Sequence, residues 1–190
     1  MLCEGDSGRE FRSDLWDDML KLAGCFLILA GMYGIGWVQC RNMEEHINDL
    51  ELLHTVFSIV ESEVGYNRSI LPDGFRKAGE RVGGNLGIRL QQMWKRMNDG
   101  QGVQFQEIWT DEMEHWLRRS SLKRNERNLI SSFAQYIGMA DGYIQTKQLQ
   151  LIRQELQEAK KLAQEKMGGK KKMVMSVSVT GGLLLMLLLL

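Results

Sequence analysis

The sequence predicts an all-α fold: a membrane-anchored six-helix bundle flanked by N- and C-terminal transmembrane helices. Three observations carry that expectation. The 190 residues hold a single proline, Pro72, so almost nothing removes a backbone donor from a helix interior. Between residues 47 and 162 apolar residues recur at steps of three and four, without the sustained alternation of strands. Two apolar runs free of Asp, Glu, Lys and Arg, residues 22–38 and 173–190, stand near the ends of the chain.

Residues 1–18 form a polar leader with six acids (Glu4, Asp6, Glu10, Asp14, Asp17, Asp18) against Arg9 and Arg12, a net of 2 − 6 = −4. The leader is expected to be disordered, or to reflect a translation start placed upstream of Met19. The first anchor is expected over residues 19–40. Its charge-free run covers about 26 Å as a helix, close to the ~30 Å hydrocarbon core. Trp16 and Trp37 flank it, as interfacial aromatics do. Leu22-Ala23-Gly24-Cys25 matches a lipoprotein box, but the apolar stretch follows the cysteine, the reverse of a signal peptide.

The helical domain is expected over residues 41–169. Ile47, Leu50, Leu53, Phe57, Val60 and Val64 make one stripe of a long helix that Gly65 ends. Pro72 suits the first turn of a short helix with Phe75 and Val82, closed by Gly83-Gly84. Leu86, Leu90, Met93 and Met97 form a third stripe, ending at Asn98-Asp99-Gly100. Phe105, Ile108, Trp109, Met113 and Trp116 form a fourth, and Leu129, Ile130, Phe133 and Ile137 a fifth. Asp141 is placed to cap the last helix, which runs through Ile144, Leu151, Ile152, Leu156, Ala159 and Leu162. Glu155 and Glu158 are spaced for support from Lys160 to Lys166 along that helix.

The second anchor is expected over residues 170–190. Lys170, Lys171 and Lys172 precede it and can reach lipid headgroups, and Gly181-Gly182 leads into an unbroken apolar tail. Ala30 with Gly34, and Ser178 with Gly182, stand at the four-residue spacing of close helix pairs. The bases between Arg153 and Lys172, with Arg41 just after the first run, outnumber those of the leader. By the positive-inside rule the domain faces the cytoplasm.

Charge excludes one broad class. Lys plus Arg and Asp plus Glu each number 24, whereas a nucleic-acid binder carries a basic excess. Residues 41–172 hold 21 bases and 18 acids, a net of +3. His46, His54 and His115 lack the spacing of a metal site, and Cys3, Cys25 and Cys40 form no CxxC pair, so no metal is expected. Gly83-Gly84-Asn85-Leu86-Gly87 joins two helices and lacks the Lys-Ser or Lys-Thr of a phosphate loop. Glu61 and Glu63 point to different faces of their helix. No cofactor and no catalytic residue is expected, and the chain reads as a non-enzyme.

The order of short motifs resembles the stage III sporulation protein AB family. Met19-Leu20-Lys21 opens an apolar helix, and Glu61-Ser62-Glu63-Val64-Gly65-Tyr66 closes a long one. Leu71-Pro72 starts a short helix, Ile137-Gly138-Met139-Ala140-Asp141 makes a turn, and a charged helix enters a Gly-Gly-Leu-Leu tail. The likeness covers residues 19–190. Ile70-Leu71-Pro72 stands where the family has Pro-Leu-Pro, and residues 1–18 have no counterpart.

The resemblance implies a component of a channel-like sporulation apparatus in the mother-cell membrane around the forespore. It implies a domain similar to the cytoplasmic domains of type II secretion and type IV pilus platform proteins. The implied partners are a cytosolic secretion-type ATPase, other membrane proteins of the complex, the bilayer and further copies of the chain. Glu63, Tyr66, Pro72, Phe75 and Asp141 are the candidate partner interface, because the family motifs cluster there. The rival reading is a pore-lining transport subunit. It would line its pore with glycine and serine, since neither apolar run holds an ionisable residue.

Overall fold

The computed structural model describes residues 7–65, 70–99, 102–137 and 142–189, and all regular structure among them is helical. The helices are α1 (Ser7–Gly65), α2 (Leu71–Val82), α3 (Gly84–Asn98), α4 (Phe105–Leu117), α5 (Arg124–Ile137) and α6 (Gly142–Leu189). The chain divides into two units, one of Met1–Arg41 with Met167–Leu190, the other Asn42–Lys166.

The Asn42–Lys166 unit is a helical bundle whose core follows the sequence periodicity. Leu50, Leu53, Phe57 and Val60 of α1 are fully buried. Each such side chain contributes about 1.5–3 kcal/mol relative to exposure. The helix ends at Gly65. Ile70 then takes an extended conformation, and Pro72 occupies the first turn of α2, where its missing N–H costs nothing. Asp73 in that turn complements the helix dipole.

α2 turns straight back into α3 through Gly83 and Gly84, at φ +62° and +58°. Side chains avoid this left-handed region, so the sharp reversal requires glycine. The Gly83 N–H closes α2 on the Gly79 carbonyl at 3.1 Å. Gly79 and Gly87 then let the two helices approach: a Cβ at Gly87 would lie 2.6 Å from the Gly79 carbonyl oxygen.

At the centre, Phe57, Phe75, Phe105, Trp109 and Phe133 come together from α1, α2, α4 and α5. Trp109 and Phe133 have centroids 4.7 Å apart, and Phe57 meets Phe133 edge-on at 5.0 Å. The Trp109 indole N–H donates to the Ile130 carbonyl at 2.9 Å, so this buried ring leaves no polar atom unpaired. α6 runs antiparallel to α1. Gly65 lies beside Thr146, Glu61 pairs with Arg153 at 2.7 Å, and Glu51 pairs with Lys160, so position falls on α1 as it rises on α6.

Two expectations about α6 are corrected. The buried residues are Leu149, Ile152, Leu156 and Ala163, whereas Ile144, Leu151 and Leu162 are exposed. The core therefore lies roughly 100° around the helix from part of the stripe read in sequence. Lys160 is drawn to Glu51 of α1 rather than along its own helix. Among the described residues Glu155 and Glu158 form no ion pair.

The other unit holds the N-terminal part of α1 and the C-terminal part of α6. α1 begins at Ser7 and so takes in residues 7–18 of the leader. Once the following turns are formed, each added residue gains a hydrogen bond without repeating the cost of nucleation. Phe26, Leu27, Trp37, Met173 and Leu184 are all more than half exposed. Gly34 is exposed too, and among the described residues nothing lies within 4 Å of a Cβ added there. Neither expected transmembrane helix is shown: among the described residues no helix is long and apolar enough to cross a membrane. Gly24, Gly31, Gly34 and Gly36 dilute the first run, and Ser176, Ser178 and Thr180 the start of the second.

Candidate partner-docking site

The structure places three of the five candidate interface residues at one corner, where α1 ends and α2 begins. Glu63 sits on the last turns of α1 with its side chain 12% exposed, and accepts a hydrogen bond from the Lys77 ammonium at 2.6 Å. The approach is close because Gly74 faces α1: a Cβ there would meet the Val60 Cα at 3.4 Å. Pro72 is half-buried in the first turn of α2.

Phe75 is corrected from contact residue to core residue. It is fully buried, stacked on Phe105 at 6.0 Å and tilted against Trp109 at 5.5 Å. Tyr66 and Asp141 lie outside the described residues.

Two charged straps tie the helices together, one along α1 and the other between α3 and α4. On the α1–α6 seam, His54 lies among Lys160, Arg153, Glu51 and Glu61; burial first, and then the Lys160 charge, lowers its pKa below the usual histidine value. Further along α1, His46 is 2.7 Å from Glu126 of α5, and Asp49 accepts the Ser121 N–H at 2.7 Å. Burial raises the Asp49 pKa, partly offset by that hydrogen bond. Glu126 also accepts the Lys123 N–H at 2.7 Å, one half of a capping box at the start of α5. These bonds fasten the α4–α5 connection to α1.

The other strap was missed in sequence. Glu112 of α4 is buried, held between Arg89 at 3.4 Å and Arg96 at 3.2 Å of α3. Arg96 also reaches Asp111 at 3.0 Å, and both acids hold its pKa above the ordinary value. The only signal was the seven-residue separation of Arg89 and Arg96, which puts both on one face of α3. A groove of about 420 Å³ opens here, lined by these four residues with Glu114, His115 and Arg118. Its bases and acids answer one another, so it is an ionic brace between helices.

Among the described residues no group of three His, Cys, Asp or Glu side chains is arranged to hold a metal ion.

Three comparisons bear on relationship. The family model for stage III sporulation protein AB matches residues 21–190. Stage III sporulation protein AB of Bacillus subtilis (strain 168) is 22% identical over 171 residues, spanning 90% of this chain and 99% of that protein. A solved structure of stage III sporulation protein AB superposes with a TM-score of 0.57 at 16% identity, covering 65% of this chain and 96% of the solved chain. At that identity the superposition speaks for the fold, whereas the family match takes in both terminal segments and the whole bundle. The chain belongs to the stage III sporulation protein AB family.

Proposed function

We propose that this protein is a structural subunit of a sporulation membrane complex, the channel-like apparatus of the mother-cell membrane around the forespore. Residues 19–40 and 170–190 anchor it, and the bundle between them docks partners on the cytoplasmic side. The single observation carrying this reading is the family match over residues 21–190, which includes both apolar ends and the bundle. Exposed Phe26, Leu27, Trp37, Met173 and Leu184 support the anchoring, because so many large apolar side chains left open in two terminal helical segments call for lipid or protein cover. The bases at Arg41 and Lys170 to Lys172 support the cytoplasmic side.

The docking surface is the α1–α2 corner, with Glu63 and Pro72 on the described helices; Tyr66 and Asp141, outside the described residues, belong to the same candidate set. Its partners are the cytosolic secretion-type ATPase and the membrane proteins of the same complex. The layout is that of a platform protein: a helical domain held at the membrane as a scaffold, with no chemistry of its own. Co-purification from detergent extracts of sporulating cells tests the surface. Tyr66→Ala with Asp141→Asn, which keeps a capping side chain, should sharply reduce recovery of the ATPase and membrane partners while the melting curve stays unchanged. Full recovery with an unchanged melt would remove this corner as the docking surface.

A further inference from the structure

Within the Asn42–Lys166 unit, α6 packs antiparallel against α1. Arg153, Lys160 and Thr146 face α1 on one flank, and Leu149, Ile152, Leu156 and Ala163 face the core. On the remaining flank Ile144 and Leu151 are each 47% exposed and Leu162 50%. Glu155 and Glu158 lie between them in the same stripe, both exposed. At 3.6 residues per turn these five positions fall within a band roughly 60° wide. Their steps of seven, four, three and four residues are those of a helix-pairing seam.

The two carboxylates differ from those that tie the helices together. Glu51, Glu61, Glu63, Glu112 and Glu126 each pair with a base on another helix. Glu155 and Glu158 pair with none among the described residues, and Lys160, on the far side of the helix, is engaged by Glu51. Three aliphatic side chains and two unanswered charges thus share one solvent face.

We infer that this face of α6 docks an amphipathic helix of a partner protein, with aliphatic residues on its seam and Lys or Arg flanking them. Charge complementarity selects that occupant over a second copy of this chain. An antiparallel copy that matches Leu151 with Leu162 sets Glu155 against Glu158. A parallel copy sets each glutamate against itself. Like charges facing across a helix pair disfavour both, while a basic helix answers both carboxylates.

The test uses the full chain in uncharged detergent and two labelled three-heptad peptides of identical composition. One carries leucines on the seam with flanking lysines, the other has the sequence scrambled. Fluorescence anisotropy should show binding of the patterned peptide only. Glu155→Lys with Glu158→Lys should weaken it about tenfold or more, and a third peptide with glutamate for lysine should bind that variant and not the wild type. Leu151→Asp, at an exposed position, should abolish binding with an unchanged melt. Equal binding of the scrambled peptide, or insensitivity to the glutamate reversal, would overturn the inference. So would a dimer of the chain cross-linked through a photoreactive side chain at position 151.

Discussion

Gly87→Ala puts the α2–α3 hairpin to a quantitative test. The added methyl would lie 2.6 Å from the Gly79 carbonyl oxygen, whereas a carbon–oxygen contact is comfortable at about 3.3–3.6 Å. The obstructing atom is backbone, so no side chain can swing aside, and α2 and α3 must separate by roughly 0.7–1 Å. A gap of that size forfeits about a quarter to a half of each dispersion contact it opens. The contacts at risk are those of Phe75, Ala78, Leu86 and Leu90, all buried. Overpacking of this kind costs about 1–3 kcal/mol, and the better helix propensity of alanine returns about 0.5–1 kcal/mol. The net loss of about 1–2 kcal/mol corresponds to a fall in Tm of roughly 3–10 °C. Circular dichroism melts of the full chain in detergent measure it, with the exposed Asn85→Ala on the same helix as control. Gly79→Ala should cost less, since its new methyl would meet the Gly87 oxygen at 2.9 Å. A Gly87→Ala protein as stable as wild type would refute the close approach of these helices.

Phe75→Ala should destabilise the bundle by about 3–5 kcal/mol in the same melts, as a core residue does; loss of partner recovery without loss of stability would return Phe75 to the surface. Glu112→Ala should cost about 1–2 kcal/mol by leaving Arg89 and Arg96 without their shared acceptor, read as a lower denaturation midpoint with an unchanged slope. For His54 the folded pKa lies below 6.5, so the unfolded chain binds the proton more readily. Its contribution to stability is therefore present above pH 6.5 and is lost as pH falls through the window below that value. His54→Gln should flatten that part of the stability–pH profile, and a variant with the same slope as wild type would dismiss the role given to His54.

Helix existence was legible because each boundary carries its own local physics. Gly83-Gly84 marks a place where two adjacent residues with positive φ are needed, and Pro72 marks a helix start. What sequence could not decide was which face of α6 is buried. Two apolar sets interleave there, Leu149, Ile152 and Leu156 against Ile144, Leu151 and Leu162, and both satisfy helical spacing. The choice falls to α1, whose Glu51 and Glu61 capture Lys160 and Arg153 and so rotate the first set inward. Phe75 was misplaced for a similar reason: its neighbourhood suggested a recognition motif, while its stripe with Ala78 and Val82 belonged to the core. Glu112 was invisible because a buried carboxylate is recognised by its two arginines, which stand 16 and 23 residues away in the chain.

The central claim is that a helical docking domain is held at the cytoplasmic face of a membrane by the chain's two ends. Protease digestion of oriented vesicles carrying the full chain, after an alkaline wash, tests it most directly. The account predicts that the chain resists the wash, and that residues 42–166 are cleaved in inside-out vesicles and protected in right-side-out ones. Release by the wash, or cleavage of the domain from the outer face, would contradict it.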